Sequence, residues 1–268
     1  MIARMVFWQY NIALVRSSDG VRSAAPFQAL FASERELGGQ LGCWFFTRKR
    51  PDLRLRVEAS RNFHAELEQR LHACARSGEI CSVARATYEP QVGMFGGPWG
   101  LALAHAQFRL DSETWWRLSE LETADHWIDW PNVSCSLLNE LFCGVLESID
   151  EVWEVWLKLR ALRPDGVASI DRPLTVERAL LGHAPELATA LEPLLEGNRE
   201  LASELAQLHL AGCLTCGERA LLANLAQFHL NRWGIRQASE VIASMVHQLD
   251  PNVDRATHHP EEAACVFP

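Results

Sequence analysis

Residues 44–57 have the sequence WFFTRKRPDLRLRV, and this stretch decides the architecture of the first half of the chain. After the Pro51-Asp52 pair, aliphatic and basic residues alternate: Leu53, Arg54, Leu55, Arg56 and Val57. Side chains on a strand repeat with a period of two. We therefore expect both guanidinium groups on one sheet face and the aliphatic groups on the other. The pattern predicts two strands joined by a tight turn at Pro51-Asp52.

The same stretch concentrates positive charge in an otherwise acidic protein. Arg48, Lys49 and Arg50 stand directly before the turn, close in sequence to Arg54 and Arg56. Guanidinium groups bind carboxylates through paired, charge-assisted hydrogen bonds. Two interpretations stay open. The patch binds a carboxylate or an electron-rich peptide, or it is a solvated hairpin face without a ligand.

The flanking segments extend this hairpin into an α+β unit. Periodicity and turn residues predict, in order, strand 5–15, helix 25–40, strands 41–47 and 53–59, helix 60–77 and strand 79–88. Ser60 is suited to cap the second helix and Gly78 to end it. The order β-α-β-β-α-β is that of a ferredoxin-like unit, which we expect to contain a mixed β-sheet.

The second half is predicted to be mainly helical, with segments over 98–110, 111–124, 132–162 and 175–250. Residues 163–173 are the best candidate for a linker, and residues 251–268 for a loose tail. The expected fold class is α+β, with a single domain over residues 1–250. Its ferredoxin-like part (about 1–97) packs with a helical part (about 98–250).

Composition argues against several classes of function. The chain has 268 residues, 48% of them hydrophobic, which is enough for a large core. Its net charge of −9 argues against a nucleic-acid partner, because phosphate binding needs a broad basic surface. No run approaches the ~18 apolar residues of a membrane span, and the N-terminus lacks the apolar region of a signal peptide. We expect a cytoplasmic protein without a membrane partner.

The eight cysteines are expected to be reduced and mostly buried. Cys213 and Cys216 form a lone CxxC pair, with His209 four residues upstream. A zinc or redox site would need a second ligand pair or a thioredoxin-like context, and the sequence shows neither. We therefore expect no metal and no cofactor.

Two polar clusters are candidates for chemistry. Tyr88 and Glu89 end a predicted strand, where a phenol and a carboxylate could donate and accept protons. The alternative is a hydroxyl bonded to backbone and a carboxylate paired with an arginine. Gln227 and Asn231 share one helix face, whereas His229 lies well round the helix from both. This second cluster either lines a site or forms a buried hydrogen-bond network.

Aromatic residues are also unusually abundant. Six of the ten tryptophans fall in one predicted helical region: Trp115, Trp116, Trp127, Trp130, Trp153 and Trp156. They serve either as core and interface residues or, in part, as the lining of a groove for a heteroaromatic peptide. Phe95-Gly96-Gly97 forms a glycine turn that lets the backbone pass closely or caps a helix beginning at Pro98.

Taken in order, these motifs resemble a known family. They are Trp-Phe-Phe-x-Arg (44–48), Leu-Arg-Leu-Arg (53–56), Gly-x-Ile (78–80), Thr-Tyr-Glu-Pro (87–90), Phe-Gly-Gly (95–97), Asp-Ser (111–112) and Asn-Arg (231–232). The arrangement resembles the thiopeptide-type bacteriocin biosynthesis domain, which is similar to the C-terminal elimination domain of class I lantibiotic dehydratases. The resemblance covers about residues 8–250.

The resemblance implies one of two activities. Elimination domains remove glutamate from glutamylated Ser or Thr, and stand-alone relatives join two dehydroalanines into a pyridine. This chain keeps the first arginine of the elimination pattern as Arg48, but Lys49 replaces the tyrosine that follows it. Met94 stands where that pattern has a second arginine, and Gln227 where it has a histidine. Methionine cannot stabilise an anion and glutamine cannot take up a proton near neutral pH, so elimination is disfavoured.

We therefore predict a pyridine synthase of thiopeptide or pyritide biosynthesis, within the ribosomally made, post-translationally modified peptides. It would act on a precursor with a leader and a dehydrated core, and a homodimer is left open. The expected catalytic residues are Tyr88, Glu89, Gln227 and His229. Those expected to bind substrate are Arg48, Arg54, Arg56, Phe95, Ser112, Asn231 and Arg232. Two alternatives remain: the glutamate-eliminating subunit of a split dehydratase with His229 as base, and a non-catalytic leader-binding scaffold.

Overall fold

The computed structural model describes residues 5–15, 24–122, 128–163, 185–235 and 238–251. Most of the predicted linker, the tail beyond residue 251 and Trp127 lie outside these ranges. The chain divides into two compact units, one of residues 1–90 with 111–113 and one of residues 91–110 and 114–268. Each unit is described by itself below.

The first unit is a four-stranded sheet with two helices. Its elements are β1 (Val6–Leu14), α1 (Ala25–Leu37), β2 (Leu41–Lys49), β3 (Asp52–Ala59), α2 (Arg61–Ser77) and β4 (Ile80–Thr87). The strand order is β2-β3-β1-β4, so the α+β class and the ferredoxin-like arrangement are confirmed. All three strand pairings are antiparallel, whereas the sequence predicts a mixed sheet. No parallel pair forms among the described strands, because each helical crossover joins two strands that are not neighbours in the sheet.

The predicted alternation along β3 sets which face of the sheet is buried. Leu53, Leu55 and Val57 are at most 2% exposed, while the two arginines between them are half-buried. Aromatic and aliphatic side chains of both helices complete this core: Phe27, Leu30, Phe63, Leu67 and Leu71. Burial of such side chains contributes about 1.5–3 kcal/mol each, which makes this face the main source of the unit's stability.

Local signals set both ends of the second helix, as predicted. The Ser60 hydroxyl accepts a hydrogen bond from the Phe63 amide at 3.2 Å, which caps the first turn. Gly78 follows the last helical residue with φ of 79°, a left-handed conformation that glycine adopts without strain.

The second unit is helical. It contains a short 3-10 helix (Val92–Phe95), then α3 (Pro98–Leu121), α4 (Trp130–Val145), α5 (Ile149–Ala161), α6 (Pro185–Leu210), α7 (Glu218–Trp233) and α8 (Ala238–Gln248). The two helices predicted over 98–110 and 111–124 are one continuous helix, because neither glycine nor proline separates them. The run predicted over 132–162 is two helices, because Ser148 is extended and caps α5 by accepting from the Glu151 amide.

Candidate functional site

The predicted basic hairpin forms, and Arg54 and Arg56 share one face as predicted, but Arg48 does not join them. Arg54 lies directly opposite Thr47 and Arg56 opposite Phe45, on the sheet face away from the aliphatic core. Arg48 lies opposite Leu53, and therefore on the other face, where its guanidinium carbon is 5.9 Å from the Phe46 ring centroid. The single cationic patch inferred from sequence is thus divided between two faces at the end of the hairpin.

Tyr88 lies in a cluster of aromatic rings and one guanidinium, which we call the Tyr88 cluster (Phe7, Phe45, Arg56 and Tyr88). The ring centroid of Tyr88 is 5.1 Å from that of Phe7 and 5.9 Å from that of Phe45. The Arg56 guanidinium carbon is 4.8 Å from the Tyr88 centroid, a cation–π contact. The structure therefore brings together Arg56, a candidate for binding, and Tyr88, a candidate for catalysis.

The surroundings of Tyr88 fix its protonation state. Burial raises the pKa of the Tyr88 phenol to about 12, the Arg56 cation acts in the opposite direction, and Cys43 adds to the increase. The phenol is therefore protonated at neutral pH, the form in which its O–H is able to donate a hydrogen bond. Glu89 follows directly and is exposed.

Ser112 is placed differently from a surface ligand. Its side chain is fully buried, and its hydroxyl accepts a hydrogen bond from the Phe46 amide at 3.3 Å. Since β2 is an edge strand, this bond satisfies a backbone donor on the outer side of the sheet. The contact gives Ser112 a structural role in the first unit.

In the second unit, the central feature is the aromatic turn, residues 92–97. Gly96 and Gly97 both have positive φ, at 75° and 95°, which lets the chain reverse and enter α3 at Pro98. Phe95 is buried, with its ring centroid 5.4 Å from Phe108 and 5.5 Å from Phe228. The turn thus caps α3, as predicted, and closes over a stack of phenylalanines.

Two hydrogen bonds that sequence reasoning missed anchor the aromatic turn. The Asn224 amide donates to the Met94 carbonyl oxygen at 2.8 Å, and the Thr215 backbone amide donates to the Gly96 carbonyl oxygen at 3.0 Å. Asn224 lies one helical turn before Gln227, so an i, i+3 comparison along α7 would have found it. Thr215 lies in an irregular loop, where no helical spacing indicates such a contact.

The remaining candidates of α7 separate into buried and accessible groups. Arg232 is fully buried, with its guanidinium carbon 4.7 Å from the Phe108 centroid. His229 is 6% exposed and packs 4.4 Å from the Trp233 ring. Gln227 is half-buried and Asn231 is exposed. The side-chain oxygen Oδ1 of Asn231 accepts a hydrogen bond from Arg163. The predicted separation of His229 from the Gln227 face is confirmed.

The cysteine pair lies next to the aromatic turn. A side chain at Gly96 would meet the Cys216 sulfur at 3.4 Å and Leu214 at 3.2 Å. Both cysteines are free and half-buried, and burial raises the pKa of the Cys216 thiol. Within the described ranges, no three His, Cys, Asp or Glu residues are grouped so that they could hold a metal ion. Nor does any described helix have both the length and the apolar character needed to cross a membrane.

The fold is therefore an α+β unit of ferredoxin-like order, followed by a helical unit with an aromatic-Gly-Gly turn. The sequence matches the family described as lantibiotic biosynthesis dehydratase C-term over residues 24–249, and the chain belongs to this family. A search of curated proteins returns no match.

Among the solved structures with a similar fold are the following two. One is the tRNA dependent lantibiotic dehydratase MibB from Microbispora sp. 107891, with a TM-score of 0.64 and 14% identity. The match covers 91% of this chain but spans only 28% of MibB. The other is the pyridine synthase TbtD from thiomuracin biosynthesis, with a TM-score of 0.60, 14% identity, and coverage of 91% of this chain and 97% of TbtD. At this identity the likenesses show the fold alone.

Proposed function

We propose that this protein is a pyridine synthase of thiopeptide- or pyritide-type peptide biosynthesis. It would join two dehydroalanines of a modified precursor peptide by a formal aza-[4+2] cycloaddition. Loss of water and of the leader peptide then leaves a pyridine within a macrocycle. The observation that carries the proposal is Gln227, a half-buried side chain on α7 at the position where the elimination pattern has its histidine.

Glutamate elimination needs a base for the α-proton and a cation for the departing carboxylate. The Gln227 amide takes up no proton near neutral pH, and Met94 offers a thioether where the elimination pattern has a guanidinium. The Met94 backbone is itself bound by Asn224, which holds this residue within the aromatic turn. Two of the positions that elimination depends on are therefore occupied by residues unsuited to it.

His229 does not take over the missing role. It is 6% exposed and packs against Trp233, which in turn meets Trp130 edge-on at 5.4 Å between ring centroids. A base must reach the proton it removes, at about 2.6–3.2 Å between heavy atoms. Its position in this tryptophan cluster disfavours the eliminase alternative.

Cycloaddition makes different demands, which the described residues suit better. Two alkenes must be held in contact, and the amide attached to the nitrogen of one of them must be drawn into its iminol form. Correct placement alone can lower the activation barrier by about 7–11 kcal/mol, without a strong base. In this proposal the protonated Tyr88 phenol and the Arg56 guanidinium donate hydrogen bonds to a peptide carbonyl oxygen. Arg54 of the first unit, and Gln227 and the exposed Asn231 of the second, bind other parts of the precursor.

The test is incubation of the purified protein with a leader-bearing peptide that contains azoles and two dehydroalanines. Mass spectrometry should show release of the leader as its carboxamide and a cyclic product that has also lost water. Tyr88→Phe and Gln227→Ala should reduce product formation strongly, whereas Gln207→Ala, at an exposed glutamine of α6, should not.

Two results would contradict the proposal. Conversion of a glutamylated peptide to dehydroalanine would establish an eliminase. Leader binding without turnover, with Tyr88→Phe, Gln227→Ala and Arg48→Ala all still supporting product formation by other enzymes, would establish a scaffold. Glu89→Gln serves as a separate probe of this exposed carboxylate: loss of product would assign it a step in the reaction, and unchanged product would assign it none.

A further inference from the structure

Gln9 is a buried polar residue of the central strand β1 that sequence reasoning did not single out. It lies directly opposite Arg56 in the β1–β3 pairing and is 6% exposed. The Arg56 Nε–H donates to the side-chain oxygen Oε1 of Gln9 at 3.0 Å. The side-chain nitrogen Nε2 of Gln9 in turn donates to the side-chain oxygen Oδ1 of Asn11 at 2.8 Å. These two bonds fix the orientation of the Gln9 amide, so that its oxygen faces Arg56.

Fixing Nε constrains the rest of the guanidinium. The group is planar and contacts two rings, with its carbon 4.8 Å from the Tyr88 centroid and 5.5 Å from the Phe45 centroid. An arginine side chain has many rotamers, and a bond at Nε selects those that keep the plane against Tyr88. The side chains of Phe7 and Phe45 have no hydrogen-bond acceptor such as the Gln9 oxygen, so they offer no directional bond to Nε–H.

We infer that Gln9 is a positioning residue that holds the Arg56 guanidinium against Tyr88, so that the two donors act together on one substrate carbonyl oxygen. The inference rests on the proposed function, because it assigns a supporting contact to the Tyr88 cluster. Gln9 touches Arg56 rather than the substrate and so acts through it.

The chemistry explains why a glutamine suits this position. A neutral carbonyl oxygen accepts the hydrogen bond without adding a negative charge beside the guanidinium, which in this proposal stabilises a carbonyl oxygen that becomes more negative. A glutamate at the same position would keep the hydrogen bond and cancel the charge. Two substitutions at Gln9 can therefore separate the effect of holding the Arg56 guanidinium in place from the effect of its charge.

The first measurement needs no substrate. In wild type, NMR should show a slowly exchanging Arg56 Nε–H and a nuclear Overhauser contact between the Arg56 side chain and the Tyr88 ring. Gln9→Leu should speed exchange of that proton by roughly fivefold to tenfold, the factor that corresponds to one hydrogen bond, and weaken the Overhauser contact. Gln9→Glu should keep both signals. Gln28→Leu, at an exposed glutamine of α1, is the matched control and should change neither.

The second measurement uses the dehydrated precursor. Gln9→Leu should lower kcat by about tenfold to a hundredfold, as displacement of a donor does. The same change should have no further effect in an Arg56→Leu background, because the residue acts through Arg56. Gln9→Glu should also lower kcat, although it preserves the Arg56 contact.

The outcomes are distinguishable. An unchanged Arg56–Tyr88 contact in Gln9→Leu, or an additive loss in the double variant, would overturn the positioning role. Absence of turnover in wild type would contradict the proposed function, while the NMR comparison would still decide whether Gln9 holds Arg56. If Gln9→Leu fails to fold, Asn11→Leu replaces it, because it removes the acceptor that orients Gln9 and should weaken the Overhauser contact in the same direction.

Discussion

Replacing Gly100 with alanine should destabilise the protein, although the same change normally stabilises a helix. Gly100 lies in the first turn of α3, directly after the aromatic turn. A Cβ built at this position would lie 3.0 Å from the Phe95 carbonyl carbon and closer still to its oxygen, a distance that real Cβ atoms do not tolerate. Because the obstacle is backbone, rotation of a side chain cannot relieve it.

The expected magnitude follows from two opposing terms. Alanine in place of glycine favours a helix by about 0.5–1 kcal/mol. Overpacking a closely packed site costs about 1–3 kcal/mol. Gly100→Ala should therefore lower the free energy of unfolding by roughly 0.5–2 kcal/mol. The matched control is Gly144→Ala in α4, where the nearest atom to the new Cβ is Ala202 Cβ at an ordinary 3.8 Å. This variant should gain up to about 1 kcal/mol.

Thermal unfolding followed by circular dichroism measures both variants. For a chain of this size, each kcal/mol shifts Tm by about 2–4 °C, so the two variants should move in opposite directions and differ by roughly 1–12 °C. Gly100→Ala should also lose peptide conversion, since relief of the clash displaces the aromatic turn. A Gly100→Ala variant as stable as Gly144→Ala would refute the close approach of the Phe95 carbonyl to α3.

Three further outcomes are expected. Burial lowers the pKa of His64, whose ring nitrogens meet the Tyr10 hydroxyl and the Val6 carbonyl, so the unfolded state binds a proton first. Urea unfolding should show stability falling as pH drops below about 6.5, an effect that His64→Leu removes and exposed His72→Leu keeps. Burial also raises the pKa of both tyrosines, so absorbance at 295 nm should show no tyrosinate until the pH approaches about 12, whereas the denatured chain titrates near 10. Stability should correspondingly fall above about pH 10. Finally, Asn224→Ala should cost about 1 kcal/mol by denaturant titration, and a cost no larger than that of Asn231→Ala would contradict the anchoring bond.

Much of the first unit could be predicted from local sequence. Alternation along residues 53–57 gave the buried face of β3, and Ser60 and Gly78 gave both ends of α2, because these signals depend on neighbours within one strand or one helical turn. The helical half was harder. The break at Ser148 depends on a short capping contact that periodicity does not record, whereas the continuity of α3 follows from the lack of glycine or proline between its two predicted parts.

The candidate site shows the same division. The sequence by itself determined the residue types, and with them the absence of an arginine at Met94 and of a histidine at Gln227. Only the tertiary structure decided which of the candidates meet. Strand register placed Arg48 on the face opposite Arg54 and Arg56, and it set Gln9 beside Arg56, 47 positions away. Folding buried Ser112 and His229 and joined Asn224 to the aromatic turn. Such contacts join residues distant in the chain, so strand order and helix packing decide them, and no local pattern encodes either.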